Sequence, residues 1–142
     1  MSEPAAPPSP SLRHAFDVHV DVGPTERIGH GDGELLEFTP VTGGVVTGPM
    51  FDGVVLPGGG DWSTTRGDVT TLEARYLLRA ADGAVIDIVN RGFWRDRDRY
   101  FRTSPVFRTD ADQHRWLTEY VFVGDASDES ETRIVIRMFV VE

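Results

Sequence analysis

The sequence predicts an all-β protein that folds as a single antiparallel β-barrel of roughly eight to ten strands. Apolar and polar residues alternate along several stretches, with the period of two expected of strands that bury one face. Turn signals made of glycine, proline and aspartate recur at short intervals between these stretches. A barrel is favoured over a sandwich because closure removes the exposed edges of so many strands.

The length and the N-terminal composition predict one domain behind a leader. A chain of 142 residues is long enough to bury its own core. We expect residues 1–12, rich in proline, alanine and serine, to be a disordered leader, and residues 13–142 to form the barrel. The leader lacks the basic and apolar regions of a signal peptide, so a cytoplasmic protein is the simplest expectation.

The first strand is predicted over residues 16–22, where valines alternate with polar residues such as Asp17 and His19. Asp82-Gly83 favours a tight hairpin turn, so residues 69–80 and 84–92 are expected to pair antiparallel. Other breaks between strands are expected at residues 48–53, 57–60, 67–68 and 125–131.

The C-terminal third adds one helical turn and one unusual strand. A short helical turn is expected near residues 109–115, where Thr109 or Asp110 could cap it. The final strand, residues 132–141, is apolar on both faces. Such a strand is either covered on both sides or contacts a partner, which leaves a homo-oligomer open.

Composition excludes several classes of chemistry. The chain has no cysteine, which excludes disulfides, thiol catalysis and cysteine-ligated metals. All 14 basic residues are arginine, so a Schiff base or a lysine general base is excluded. The net charge of −9 opposes binding to nucleic acid or an anionic membrane, and no apolar run is long enough to span a bilayer. The four histidines lack ligand spacing, so no metal site is expected.

The segment Leu56-Pro57-Gly58-Gly59-Gly60-Asp61-Trp62 looks like the rim of a cavity, because its glycines permit a tight turn that ends in an acid and an indole. A carboxylate in a partly dry cavity has a raised pKa, which suits a general acid or base. The alternative is structural: Asp61 accepts backbone hydrogen bonds that fix the loop, and Trp62 plugs the end of the barrel.

Two further candidates lie on the predicted hairpin. Tyr76 and Asn90 fall on the apolar faces of adjacent strands, where their polar groups could reach one ligand oxygen and stabilise a developing oxyanion. The alternative is a buried polar pair that is satisfied within the protein.

Arg102 is a conditional candidate. Arg102 and Ser104 share one face of their strand, and Phe101 and Thr103 share the other, so Phe101 and Arg102 cannot both face the barrel. If Arg102 faces inward, it is the best candidate for binding an anion.

Seven motifs occur in an order that resembles domain-of-unknown-function family 3237, from about Phe16 to the C-terminus. They are Pro40-Val41-Thr42-Gly43-Gly44 with Gly48-Pro49, Leu56 to Trp62, Ala74-Arg75-Tyr76, Asp82-Gly83-Ala84-Val85-Ile86, Asn90-Arg91-Gly92, Tyr100-Phe101-Arg102-Thr103-Ser104-Pro105, and Trp116-Leu117 followed by Phe122-Val123-Gly124. The resemblance implies an antiparallel barrel with a central cavity, lipocalin-like or cyclase-barrel-like, with no known cofactor and no settled activity. Because some members look like parts of secondary-metabolite or aromatic-degradation pathways, it also implies a small organic ligand.

The leading hypothesis is an enzyme without a cofactor that performs cyclisation, isomerisation or hydration of a polyketide-like or aromatic substrate inside the barrel. Asp61 would transfer the proton, Tyr76 and Asn90 would stabilise the oxyanion, and Arg102 would orient an acidic group. The expected substrate-binding residues are Trp62, Phe101, Phe107 and Trp116. The first alternative is a non-catalytic barrel that binds or carries a small molecule, and the second is an oligomeric structural protein.

Overall fold

A computed structural model describes residues 3–142, so Met1 and Ser2 of the predicted leader lie outside the described residues. Ten antiparallel strands and one 3-10 helix, Asp112–Thr118, make up the fold. The strands are β1 (Leu12–Val22), β2 (Glu26–Gly31), β3 (Glu34–Thr47), β4 (Gly53–Val55), β5 (Gly60–Arg66), β6 (Val69–Ala80), β7 (Val85–Arg95), β8 (Tyr100–Arg108), β9 (Phe122–Ser130) and β10 (Arg133–Val141).

The sheet closes into a ring, which confirms the predicted all-β barrel. From β1 the order runs through β10, β9, β8, β7 and β6, and then through β4 and β5 to β3. Pairing between β3 and β1 closes the ring. The short strands β4 and β5 share one place in the wall, since each pairs with β3 on one side and β6 on the other.

The hairpin predicted around Asp82-Gly83 is confirmed. Strands β6 and β7 pair antiparallel along their length. Gly83 has a φ of +94°, and the carboxylate of Asp82 accepts a hydrogen bond from the Ala84 backbone N–H at 3.0 Å. The side chain of the aspartate and the freedom of the glycine together stabilise the tight turn.

Two sequence predictions are wrong in detail. The helix begins at Asp112 because Thr109 is held by β7, where its hydroxyl donates to the Val85 carbonyl at 3.0 Å. The N-cap is Ala111, which makes no side-chain cap hydrogen bond. The break predicted at residues 125–131 lies mostly in the second half of β9, where Ala126 fills the inner face, and the turn to β10 begins only at residue 131. Residues 127–130 are exposed to solvent while their backbone pairs with β10.

The two ends of the barrel are filled differently. At the helix end, which holds the β6–β7 turn and the 3-10 helix, aromatic rings pack closely, with the Phe107 and Phe122 centroids 5.0 Å apart. The other members of this cluster are Phe16, Phe51 and Trp116. The opposite end carries the β5–β6, β7–β8 and β9–β10 turns, and we call it the cavity end.

None of the helices within residues 3–142 is long and apolar enough to cross a membrane.

Candidate active site

A cavity of about 80 Å³ lies inside the barrel, between its middle and the cavity end. Most of its wall is apolar, with aliphatic side chains from four strands and the ring of Phe101. The aliphatic lining residues include Val20, Val41, Leu72, Ile134 and Ile136. Five polar side chains interrupt this wall. The hydroxyl of Thr39 is hydrogen-bonded to the hydroxyl of Thr25 at 2.8 Å. The other four belong to Asp61, Tyr76, Asn90 and Thr103, and we call these four residues the polar arc.

Each member of the polar arc has a buried oxygen with no hydrogen-bond partner among residues 3–142. The four atoms are Asp61 Oδ1, Tyr76 OH, Asn90 Oδ1 and Thr103 Oγ1. Buried polar atoms in folded proteins are paired in the great majority of cases, because an unpaired one costs stability. Four such oxygens around one cavity therefore make it the candidate site for the polar groups of another molecule.

The strand register explains how the polar arc is assembled. On the inner face, Asp61 of β5 is paired with Ala74 of β6, and Ala74 is paired with Asn90 of β7. Tyr76 lies two residues beyond Ala74 on β6 and is therefore a diagonal neighbour of both Asp61 and Asn90. Thr103 is diagonal to Asn90 on β8. Diagonal neighbours have Cα atoms about 7 to 8 Å apart, so four consecutive strands supply one continuous polar surface.

The glycines before Asp61 hold it against β6. Gly58 and Gly59 have φ values of +101° and +87°, which favour glycine. A Cβ on Gly59 would lie 2.2 Å from the Arg75 carbonyl oxygen, so this close approach also requires glycine. The loop thus places Asp61 where the wall passes from β4 to β5.

Burial raises the pKa of Asp61 to about 6. A hydrogen bond from the Glu73 backbone N–H opposes this effect, because it stabilises the carboxylate. Burial also raises the pKa of Tyr76 well above its ordinary value, and the nearby charge of Asp61 adds to the shift. At neutral pH, Tyr76 is consequently a neutral hydrogen-bond donor, and Asp61 is close enough to its midpoint to donate or accept a proton.

The structure brings Asp61, Tyr76 and Asn90 together as the sequence predicts, but it places Arg102 outside the barrel. Strand alternation directs Phe101 and Thr103 inward and Arg102 outward. The Arg102 guanidinium donates to the Asp125 carboxylate at 2.8 Å on the outer surface. The conditional role of Arg102 as an anion-binding residue of the cavity is therefore wrong.

The predicted aromatic walls are corrected in part. Phe101 lines the cavity. Trp62 is 52% exposed on the outer face, where its ring packs on Phe38 at a centroid distance of 4.7 Å, because Asp61 takes the inward position. Phe107 and Trp116 pack in the aromatic cluster of the helix end and do not line the cavity.

Thr103 is the member of the polar arc that the sequence argument missed. Threonine suits either face of a strand, so the local pattern carries no signal for it. The signal that could have found it is nonlocal: its cross-strand partners, Gly92 and Gly124, are both glycines.

A larger, open groove of about 850 Å³ lies on the outer surface around Trp62, Phe93 and Tyr100. Its charged side chains form ion pairs, Arg91 with Glu73 and Arg102 with Asp125. Of the polar arc, only Thr103 also borders this groove, whereas all four members line the inner cavity. The smaller inner cavity is therefore the better candidate active site. No cluster of three or more histidine or acidic side chains that could hold a metal ion was found in the described part of the chain.

A closed antiparallel barrel with a polar arc inside it defines the class of this protein as a small β-barrel with an internal cavity. The chain belongs to the family described as protein of unknown function, DUF3237, whose model matches residues 10–141. This confirms the family that the seven motifs resemble.

The relatives are mostly uncharacterised proteins of bacteria. A UPF0311 protein of Bradyrhizobium diazoefficiens is 32% identical over 146 residues, which cover 91% of this chain and 95% of the relative. A fungal relative, from Penicillium herquei, is named a hydroalkoxylation enzyme, and it is 28% identical over 127 residues, which cover 88% of this chain and 80% of the relative.

Solved structures share the fold over nearly the whole chain. A conserved protein of unknown function from Rhodopseudomonas palustris has a TM-score of 0.89 and 30% identity, covering 96% of this chain and 100% of that one. A beta-barrel like protein from Acinetobacter baumannii has a TM-score of 0.88 and 25% identity, covering 96% and 99%. An enzyme from Penicillium herquei has a TM-score of 0.81 and 25% identity, covering 99% and 100%.

Proposed function

We propose that this protein is an enzyme without a cofactor that transfers protons during the cyclisation, isomerisation or hydration of an aromatic or polyketide-like substrate. The observation that carries the proposal is the polar arc: four buried oxygens without a hydrogen-bond partner in residues 3–142 surround one cavity. The fungal relative's name supports a small-molecule enzyme of this kind.

Asp61 is the proposed general acid and base. Its pKa of about 6 lies close to neutral pH, where a carboxyl group can both give and take a proton at useful rates. The pKa is raised because the cavity is apolar around it, and apart from the Glu73 N–H its carboxylate remains available to a substrate.

Tyr76 and Asn90 are proposed to bind the substrate oxygen on which negative charge develops. The neutral phenol of Tyr76 donates a hydrogen bond, and the amide of Asn90 can donate a second from the next strand. Donors held in a dry cavity stabilise an oxyanion more strongly than water does, because they need no reorganisation during the reaction.

Addition of a hydroxyl group across a carbon–carbon double bond illustrates the chemistry. The Asp61 carboxylate takes the proton of the substrate hydroxyl, and the oxygen, whose developing negative charge is bound by Tyr76 and Asn90, forms a bond to one carbon of the double bond. The protonated Asp61 carboxyl then gives its proton to the other carbon, which restores the carboxylate. One C–O and one C–H bond form, the C=C π bond and one O–H bond break, and nothing is oxidised or reduced.

The size of the cavity limits what can react there. At about 80 Å³ it is smaller than the several hundred Å³ typical of sites that enclose a drug-sized ligand. We therefore propose that it takes the reacting part of a substrate and that the remainder lies toward the cavity end. The proposed partner is this small molecule, in keeping with a net charge that disfavours nucleic acid.

The test is turnover of a panel of phenols with ortho alkenyl side chains, followed by mass spectrometry and chromatography. Products of unchanged mass indicate cyclisation or isomerisation, and a gain of one water indicates hydration. Asp61→Asn is expected to abolish turnover, and Arg102→Ala is the matched control outside the barrel. Wild-type turnover by Asp61→Asn would exclude Asp61 as the acid and base.

A non-catalytic carrier remains the second candidate, because most of the cavity wall is apolar. It predicts that the same phenols bind and are recovered unchanged from the wild-type protein. It also predicts equal binding by Asp61→Asn, since in a carrier the carboxyl serves only to accept the Glu73 N–H.

A further inference from the structure

Thr103 has a buried hydroxyl that the proposed proton transfer does not use. Its side chain faces the cavity from β8, and the residue is only 5% exposed. Oγ1 has no hydrogen-bond partner within the described residues. The hydroxyl of Thr70, also buried, differs because it is hydrogen-bonded to the hydroxyl of Thr65 at 2.8 Å.

Two glycines form a slot that holds Thr103 in place. On β9, a Cβ on its partner Gly124 would lie 2.1 Å from Thr103 Oγ1. On β7, a Cβ on its partner Gly92 would lie 2.8 Å from Thr103 Cγ2. The hydroxyl and the methyl group therefore occupy space that other residues at these two positions would fill, and a β-branched side chain in such a slot has little rotational freedom.

An apolar residue of the same shape would fill this slot at lower cost. Valine has the same branching as threonine and lacks the oxygen that must be desolvated. The chain nevertheless has a threonine here, and its hydroxyl is held in a fixed direction beside a cavity. This is explained if another molecule supplies the hydrogen-bond partner of the hydroxyl.

We propose that Thr103 binds an oxygen of the substrate other than the one that reacts at Asp61. This inference rests on the proposed function and narrows it, because it assigns the substrate at least two oxygen functions. Asp61 and Thr103 stand at the two ends of the polar arc, on β5 and β8, so one oxygen is bound at each end. A hydroxyl can donate or accept, so Thr103 suits either a phenol or a carbonyl group.

The first experiment compares the binding of phenol with that of catechol, resorcinol and hydroquinone, measured by NMR titration. The wild-type protein is expected to bind at least one dihydroxybenzene about 10-fold more tightly than phenol, because one additional hydrogen bond increases the affinity by about that factor. Thr103→Val should remove this preference. A wild-type protein without the preference, or a Thr103→Val variant that retains it, would overturn the proposal.

The second experiment asks whether the hydroxyl has a structural role instead. Thr103→Val should unfold at the same denaturant concentration as the wild-type protein or at a higher one. Thr70→Val is the matched control, and it should unfold at a lower concentration because it loses the hydrogen bond to Thr65. If both variants lose stability equally, the Thr103 hydroxyl contributes to folding and the proposal is wrong.

Gly124→Ala tests the slot without removing the hydroxyl. The added methyl group would displace Thr103 Oγ1, so the variant should lose the preference for dihydroxybenzenes as Thr103→Val does. The two proposals fail separately. Recovery of every phenol unchanged from the wild-type protein would overturn the proposed enzyme, whereas a retained preference in Thr103→Val overturns only this assignment.

Discussion

Asp61 and Asn90 lie in one row of the barrel wall, with only the methyl group of Ala74 between them. Each is paired in register with Ala74, on opposite sides of β6. Strands two apart are separated by roughly 10 Å, so the small side chain leaves space between the carboxyl and the amide. The cavity exists at this point because an alanine, and not a larger residue, separates two polar groups.

Replacing Ala74 by valine should fill the cavity and prevent ligand binding. The two added methyl groups enter space that is empty, and valine favours a strand, so the free energy of unfolding should change by less than about 1 kcal/mol. Phenol titration by NMR and urea unfolding provide the two measurements. Ala80→Val at the packed helix end is the control, and it should lose stability because Ala80 is buried in the core. Undiminished phenol binding by Ala74→Val would place the ligand elsewhere.

The raised pKa of Asp61 predicts that stability falls as pH rises from 4 to 6. In this range the unfolded chain has already lost the proton, while the folded protein retains it, so folding is penalised increasingly with pH. The difference between the ordinary value of 3.8 and about 6 corresponds to a penalty of about 3 kcal/mol, fully present above pH 6. Asp61→Asn lacks it, so its stability relative to wild type should increase from pH 4 to pH 7 in urea unfolding.

Asp21 provides a control of opposite sign for that experiment. Its carboxylate accepts hydrogen bonds from the Arg133 guanidinium, which lowers its pKa. The stabilisation is present above the ordinary value and is lost as pH falls through the folded value. Asp21→Asn should therefore be less stable than wild type at pH 7, with the difference shrinking in acid. Parallel pH profiles for the two variants would contradict the assigned environment of Asp61.

Tyr76→Phe should separate activity from stability. The phenol oxygen has no hydrogen-bond partner inside residues 3–142, so removing it should not lower the free energy of unfolding. Loss of one donor to a developing oxyanion typically reduces turnover by about 10²- to 10³-fold. Tyr100→Phe, at an exposed tyrosine on the outer face, should change neither quantity. Unchanged turnover with reduced stability in Tyr76→Phe would assign the phenol a structural role.

Arg102→Ala should leave ligand binding and turnover within about 2-fold of the wild-type values. Its guanidinium pairs with Asp125 on the outside of the barrel, and exposed ion pairs of this kind contribute roughly 0.2 to 1 kcal/mol. Steady-state kinetics on an alkenyl phenol and urea unfolding measure both effects. A large loss of turnover with unchanged stability would show that the outer groove takes part in the reaction.

Strand alternation predicts most of the barrel, and it places Tyr76 and Asn90 on the inner face, because those strands show one clearly apolar face. It fails where a strand has mixed faces. Residues 100–104 offer two equivalent alternations, and only pairing with Gly92 and Gly124 turns Thr103 inward and Arg102 outward. The polar run after residue 125 likewise has the composition of a loop. It forms a strand because its backbone pairs with β10. These contacts are nonlocal, so a local pattern cannot contain them.

The loop before Asp61 predicts a difference between two neighbouring glycines. Gly58 and Gly59 both have positive φ, so alanine at either position should cost about 1 to 3 kcal/mol of stability through backbone strain. Their surroundings differ: a Cβ on Gly58 would contact nothing within 4 Å, whereas a Cβ on Gly59 would lie 2.2 Å from the Arg75 carbonyl oxygen and 3.2 Å from Tyr76 Cα. Gly59→Ala must therefore push β6 away at the residue that carries the phenol. We expect Gly58→Ala to lose stability but keep its turnover. Gly59→Ala should lose more stability and should also lose turnover. Urea unfolding measures the stability, and steady-state kinetics measure the turnover. Equal turnover in the two variants would mean that the glycines shape the loop without positioning Tyr76.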